Sequence, residues 1–358
     1  MHDSATPLRV ALIGYGYAGK TFHAPLIRSV PGLVLGTVVS SDAGKVQADL
    51  PDVEVVADAA VAFADPQLDV VVIASPNHTH APLARAALEA GKHVVVDKPF
   101  ALDLAQAREL TAIAERERRV LSVFQNRRWD TDFLGVRHLI ETGRLGRITH
   151  FESHIDRFRP QVRARWREQA GAGNGLWYDL GPHLVDQALC LFGVPDRVWA
   201  NLATQRDGGE VTDWAHAVLE YGERRVILHA SMLVAGGSPR FIVHGTQGSA
   251  VKPKIDTQET QLLAGMRPGD AGWGEDTDDL LLYDGNGNVE HLASPRGDQS
   301  RYYATFRDAV KGLGPNPVTP QQAIVVMAVI EAAVVSAAEG KAMALALSAA
   351  ERDAWPGN

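Results

Sequence analysis

Short, continuous apolar runs punctuated by glycine dominate the first third of the chain. Leu8–Ile13 (LRVALI), Leu33–Val39 (LVLGTVV), Asp69–Ala74 (DVVVIA), His93–Val96 (HVVV) and Val120–Val123 (VLSV) are short and lack polar alternation. Each reads as a strand buried on both faces, the signature of a parallel sheet covered by helices. Helical stretches lie between them. Pro82–Ala90 places proline in a first turn and stops at Gly91. Leu104–Arg119 sets Leu104, Ala107, Leu110 and Ala114 on one face behind Asp103 as N-cap. Strand and helix in repeated alternation predict a doubly wound sheet.

After about residue 125 the pattern changes. Val211–Tyr221, Arg224–Val234 and Arg240–His244 alternate apolar with polar positions, joined by Tyr221-Gly222-Glu223 and Gly236-Gly237-Ser238-Pro239. These read as a largely antiparallel sheet with one face available. Residues 256–300, rich in Gly and Asp, read as long loops. A last helix is punctuated by Thr319 as N-cap, Pro320 at its first position, Gln322 closing a capping box, and Gly340 at its end.

Length and charge narrow the function classes. A chain of 358 residues exceeds one ordinary core, which predicts two domains, residues 1–125 and residues 126–358. The net charge of −8 argues against nucleic acid as partner. One cysteine, Cys190, excludes an intrachain disulfide framework and a multi-thiolate metal centre. Residues Met1–Val10, with His2, Asp3 and Pro7, do not read as a signal peptide. No 18-residue uninterrupted apolar run occurs, and Glu331 breaks Val325–Ala338. The expectation is a cytoplasmic protein with no membrane partner.

Gly14-Tyr15-Gly16-Tyr17-Ala18-Gly19 is a GxGxxG turn directly after the first strand. Its first glycine permits the tight turn, the second lets the backbone approach a pyrophosphate, and the third lets helix and strand pack closely. Backbone N–H groups and the helix dipole then meet the negative charge. The end of the second strand reads Ser40-Ser41-Asp42. If Ser41 occupies the ribose position, its hydroxyl suits a 2′-phosphate and NADP. One residue later, Asp42 would hold ribose hydroxyls and favour NAD, or simply cap the next helix.

Two further segments offer chemistry. Asp97-Lys98-Pro99 follows the His93–Val96 strand, which puts Lys98 at the carboxyl edge of the sheet, where doubly wound folds bind ligands. Asp179-Leu180-Gly181-Pro182-His183 spaces an acid and an imidazole four apart on one face of a helix start. Together with the glycine loop, Ser75-Pro76-Asn77-His78-Thr79-His80 and Gly91-Lys92-His93-Val94, they resemble the Gfo/Idh/MocA oxidoreductases over essentially the whole chain. Finer features resemble the branch that includes NADP-dependent scyllo-inositol dehydrogenases: Ile13–Leu26 (IGYGYAGKTFHAPL), Gln125–Asp130, Arg159-Pro160 through Arg165-Trp166-Arg167, and Tyr178-Asp179-Leu180-Gly181. Asp97 stands where that family more often has Glu, and Asp42 where NADP-linked relatives commonly carry Arg.

The resemblance implies an α/β fold: an N-terminal doubly wound Rossmann domain and a C-terminal α+β domain with an open, mostly antiparallel sheet for substrate and oligomer contacts. It implies cofactor contacts from Gly14, Gly16, Tyr17, Ala18, Gly19, Ser41, Asp42, Ser75, Pro76, Asn77, His80, Asp97 and Lys98, with NADP or NAD as cofactor. Lys98, Asp179 and His183 form the implied catalytic set. His183 suits a general base. Asp179 would orient it, and Lys98 would stabilise a developing alkoxide. The implied substrate is a small polyol, inositol or sugar, and the implied assembly a homodimer or homotetramer. A non-catalytic dinucleotide sensor on the same fold is the competing reading, and unusual redox chemistry within the family a third. The thirteen histidines show no HExxH, and no metal is expected. Arg157, Arg159, Arg163, Arg165 and Arg167 read mostly as a solvated loop or oligomer rim, with one or two available for substrate. A pocket would draw on loops around Arg127, Arg159 and Tyr178; Trp129 and Tyr178 would line it or serve the core.

Overall fold

The structure, a computed structural model, describes residues 6–355; the opening residues 1–5, on which part of the signal-peptide reading rests, lie outside the described residues. The five anticipated runs form strands, joined by one more. β1 (Leu8–Ile13), β2 (Leu33–Val39), β3 (Glu54–Val56), β4 (Val70–Ile73), β5 (His93–Val96) and β6 (Leu121–Val123) make a parallel sheet in the order β3-β2-β1-β4-β5-β6. β4 and β5 are buried throughout, which is why they carry no polar alternation. β3 was not anticipated: three residues on the sheet edge, none fully buried, leave little pattern to read. The order reverses between β1 and β4, which makes their carboxyl ends the switch point of the sheet.

The connecting helices are α1 (Ala24–Ser29), α2 (Ala43–Asp49), α3 (Ala59–Ala64), α4 (His80–Glu89) and α5 (Leu104–Arg116). α4 begins two residues before Pro82. Asp103 caps α5 by accepting from the Gln106 N–H at 2.7 Å, and the anticipated Leu104, Ala107, Leu110 and Ala114 are buried. The helix stops short of Arg119 because Arg118 adopts a left-handed φ of 51°, which no α-helix accommodates.

The next elements are α6 (Thr131–Glu141), β7 (Ile148–Asp156), α7 (Leu176–Phe192), β8 (Arg197–Ala203), β9 (Trp214–Tyr221), β10 (Arg224–Ser231), β11 (Phe241–Gly245) and β12 (Ser249–Lys252). Residues 256–300, expected as loops, instead hold α8 (Gln258–Leu263), β13 (Leu280–Tyr283) and β14 (Val289–Leu292). The hairpin between those strands turns on Asp284, whose Oδ1 accepts from the Asn286 and Asn288 amides. Then follow α9 (Ser300–Val310), α10 (Pro320–Glu339), β15 (Met343–Ala344) and α11 (Ala349–Arg352). The second sheet runs β14-β13-β12-β11-β7-β10-β9-β8-β15, antiparallel at every step except β7 against β10. One face carries Phe151, Ile155, Val226 and Leu228 into a core shared with α7 and α10. The other presents His150, Glu152, His154 and Asp156 at alternate positions.

α10 has its capping box: the Gln322 amide donates to Thr319 Oγ1 at 3.2 Å and the Thr319 amide to Gln322 Oε1 at 3.4 Å. Its 20 residues are long and apolar enough to cross a membrane, yet 61% of its most apolar window is buried within the protein. Val325, Val329 and Ile330 belong to the core, which accounts for its composition.

The chain divides into two compact units. The first holds residues 1–126, 258–273 and 298–323; the second holds 127–257, 274–297 and 324–358. This division is finer than a single cut near residue 125, because two later segments return to the first unit.

Candidate active site

The glycine loop occupies the carboxyl end of β1. Gly14 has φ +94°, and a Cβ there would stand 2.7 Å from the Ala74 carbonyl oxygen at the end of β4. A Cβ on Gly19 would collide with the carbonyl oxygen of Gly14. Gly16 differs: a Cβ there would meet no protein atom within 4 Å. Two glycines are thus required by the fold, while the third leaves backbone exposed on an open side. That is the space a pyrophosphate needs, and the loop fits a dinucleotide. Gly19–His23 forms one wide π-helical turn before α1, in place of a regular helix start.

Tyr17 is exposed and donates its hydroxyl to Glu259 Oε1 at 2.7 Å; Ala18 is half-buried. Sequence reading missed two neighbours of the loop. Lys20 pairs with Asp49 at 2.6 Å, and the Tyr15 hydroxyl donates to the same carboxylate at 3.3 Å. Burial, with the Asp49 charge and hydrogen bond, pushes the Tyr15 hydroxyl up to about 12.

At the end of β2, Asp42 is the N-cap of α2, its Oδ1 accepting from the Lys45 amide at 2.9 Å. Its own amide donates to Ser40 Oγ at 3.1 Å. Ser41 and Asp42 are both exposed. The cap therefore exists, and it leaves the Asp42 side chain in solvent.

The loops after β4 and β5 are neighbours because their strands pair in register, Ile73 beside Val96, and the Asp97 amide donates to the Ile73 carbonyl at 2.8 Å. Ser75 and Thr79 share a hydroxyl hydrogen bond of 2.6 Å, Thr79 also donates to the Pro76 carbonyl, and Asn77 is buried. His80 is buried too. Its Nδ1 lies 2.8 Å from the Pro99 carbonyl oxygen and its Nε2 3.0 Å from that of Ser75. The ring nitrogens are thus engaged with backbone of both loops.

Asp97 is buried and accepts from the Lys98 amide at 2.8 Å, while Lys98 itself is half-buried. The Asp97 Oδ2 stands 3.8 Å from His23 Nε2, and His23 Nδ1 lies 2.5 Å from the Tyr303 hydroxyl. Burial opposes ionisation of Asp97. The imidazole of His23, the Lys98 ammonium and His80 outweigh it and hold the carboxyl well below the ordinary carboxylate range. His23 lies within the IGYGYAGKTFHAPL segment, but its partner is 280 residues away and left no local signal.

In the second unit α7 carries Asp179 in its first turn and His183 one turn later. Asp179 is half-buried and His183 is buried. The Trp177 indole donates to the Ile330 carbonyl at 3.1 Å, fixing α7 on α10. Asp179 also lines a small cleft with Arg165, Arg167, Glu168, Arg206 and Thr212. Arg206, not anticipated, bridges Glu168 and Asp213, each at 2.9 Å. Burial opposes charge on Glu168, but the Arg163 amide and the Arg206 and Arg165 guanidiniums lower its pKa below the usual value. Arg165 pairs with Glu168, and Arg167 lies over the Trp166 ring. Arg127, expected near a pocket, is buried against Asp130 at 2.9 Å. Among the described residues no group of three or more His, Cys, Asp or Glu side chains is arranged to hold a metal ion.

Comparison with known proteins gives matches over both units. Residues 8–125 match the oxidoreductase family's NAD-binding Rossmann fold, and residues 137–345 match the C-terminal alpha/beta domain of the same family, Gfo/Idh/MocA. The uncharacterized oxidoreductase YdgJ of Escherichia coli (strain K12) is 54% identical over 342 residues, covering 95% of this chain and 99% of that one. The scyllo-inositol 2-dehydrogenase (NADP(+)) IolW of Bacillus subtilis (strain 168) is 35% identical, covering 94% and 96%. A crystal structure of a Klebsiella pneumoniae protein superposes with TM-score 0.92 at 58% identity, covering 98% of each chain.

Proposed function

We propose, from the premise that this chain belongs to the Gfo/Idh/MocA family of oxidoreductases, that it is a dehydrogenase for a secondary alcohol of a polyol, inositol or sugar. The observation that carries the proposal is the carboxyl edge of the first sheet. That edge carries a glycine loop with one open position at the end of β1 and, two strands along, Lys98 at the end of β5. The 35% identity to an inositol dehydrogenase over nearly the whole chain supports the substrate class.

When bound, NAD or NADP supplies the hydride acceptor. Gly14, Gly16 and Gly19, with Tyr17 and Ala18, would form its pyrophosphate loop. Ser41 and Asp42 would face the adenosine ribose, and the Ser75–Asn77 segment the nicotinamide side. Lys98 would donate to the substrate oxygen and stabilise alkoxide character as the hydroxyl proton leaves. His183 would accept that proton at its imidazole, and Asp179 would orient the ring and stabilise its protonated form. Assembly as a homodimer or homotetramer and residence in the cytoplasm complete the proposal.

The test is formation of reduced nicotinamide by the purified protein, with NAD⁺ and NADP⁺ run separately against inositols, aldoses and polyols. Turnover with at least one cofactor is expected. Tight dinucleotide binding with no turnover across the panel would instead favour a sensor.

A further inference from the structure

His80 is 1% exposed, and its ring nitrogens stand 2.8 Å from the Pro99 carbonyl oxygen and 3.0 Å from that of Ser75. Carbonyl oxygens only accept, and a neutral imidazole has a single N–H to give. Both bonds at once require the imidazolium. The buried Asp97 carboxylate, in the loop that His80 engages through the Pro99 carbonyl, supplies negative charge nearby.

We infer that His80 is a positioning residue, a doubly donating imidazolium that ties the backbone after β4 to the backbone after β5 and so sets where Lys98 stands relative to Ser75–Asn77. The inference rests on the proposed roles of those two segments and deepens them. The charged and titratable groups that share Asp97 with it come from several elements. Asp97 and Lys98 lie at the end of β5. His23 comes from the turn after the glycine loop, and Tyr303 of α9 is hydrogen-bonded to that ring. The start of α4 is a further influence, since a helix N-terminus opposes a cation there. The two carbonyls and Asp97 offset that opposition. Loss of the second proton donor at alkaline pH would release one loop from the other.

Two variants separate this role from its alternatives. His80→Leu keeps an apolar body and loses both donors. His80→Gln carries a terminal amide with two N–H groups and no titrating charge. Dinucleotide affinity is read by equilibrium fluorescence titration with NAD⁺ or NADP⁺, and kcat on the best substrate, each from about pH 6 to about pH 10. His80→Leu is expected to lose at least about tenfold in both dinucleotide affinity and kcat. His80→Gln is expected to recover most of that loss. Wild-type affinity should fall on the alkaline side, and that fall should vanish in His80→Gln.

A His80→Leu protein with unchanged affinity and kcat would overturn the inference. Loss of affinity with kcat intact would overturn it too, by making His80 a cofactor ligand only. A wild-type affinity flat through the alkaline range would remove the imidazolium. Should His80→Leu fail to fold, the wild-type and His80→Gln pH profiles decide. Should no substrate turn over, the dehydrogenase proposal fails while the affinity measurements still test His80.

Discussion

The carbonyl oxygen of Gly14 occupies the space that any side chain on Gly19 would need. The first turn of the loop therefore closes on itself, and a Cβ on Gly16, between them, would meet no protein atom within 4 Å. Gly19→Ala should prevent the first unit from folding. Gly16→Ala should leave the melting temperature unchanged while weakening dinucleotide binding by about tenfold or more, because the added methyl meets only the ligand. Thermal melts and dinucleotide titration of both variants check this, and a Gly16→Ala protein with normal affinity would remove the loop from the binding site.

His183→Ala should lower kcat by roughly 10²–10⁴-fold, the usual share of a general base, with dinucleotide affinity retained. Steady-state kinetics beside a binding titration separates the two. Near-normal turnover on the best substrate would end the assignment of His183 as base.

Asp42 caps α2 yet keeps its side chain exposed, so it remains able to act on a 2′-phosphate. Asp42→Arg should shift the ratio of kcat/KM for NADP⁺ over NAD⁺ upward by at least about tenfold, by removing repulsion and adding a guanidinium. Asp42→Ala, losing the cap, should cost about 1 kcal/mol in stability. A ratio that does not move in either variant would confine Asp42 to capping.

Much of the fold is written locally. β1, β2 and β5 begin and end where their apolar runs do, and α10 is bracketed by Thr319 and Gly340 as its capping signals require. What escaped reading is what depends on distant partners. β3 is three partly exposed residues that become a strand only beside β2. β13 and β14 are four residues each, and β14 gives no buried alternation. In the candidate site, the glycines are legible because their spacing encodes their steric roles. The contact of His23 with Tyr303 is not, nor are the two carbonyls that engage His80, because no periodicity records them.

Arg240 is buried with Asp132, its Nε 3.1 Å from the Asp132 Oδ2, and it also donates to Ser153 and Gln187 at 2.6 Å. Asp132→Ala leaves that guanidinium without its counter-charge and should destabilise the second unit by about 3–5 kcal/mol. Urea unfolding checks it. A loss below about 1 kcal/mol would mean that the remaining hydrogen bonds suffice.

Asp97 predicts an acid-dependent term. Its folded carboxyl lies below the unfolded range of about 4. It therefore contributes stability that is complete above that range and is lost as the pH falls through the folded value. Asp97→Asn should be less stable at neutral pH and show a flatter decline in acid. Denaturant midpoints measured across acidic pH test this, and equal slopes for the two proteins would refute it.

The first unit is closed by residues made late. Tyr303 reaches His23, Tyr302 donates to Ser122, Ser122 to the Val318 carbonyl, and Lys311 to that of Thr6. A chain leaving the ribosome amino end first exposes the glycine loop early but holds the buried partner of His23 inside the tunnel until most of translation is complete. The half begun first is finished only after most of the second has been made. Premature termination after residue 126 would release a sheet without its closing helix, a substrate for chaperones and proteases rather than a free nucleotide-binding module.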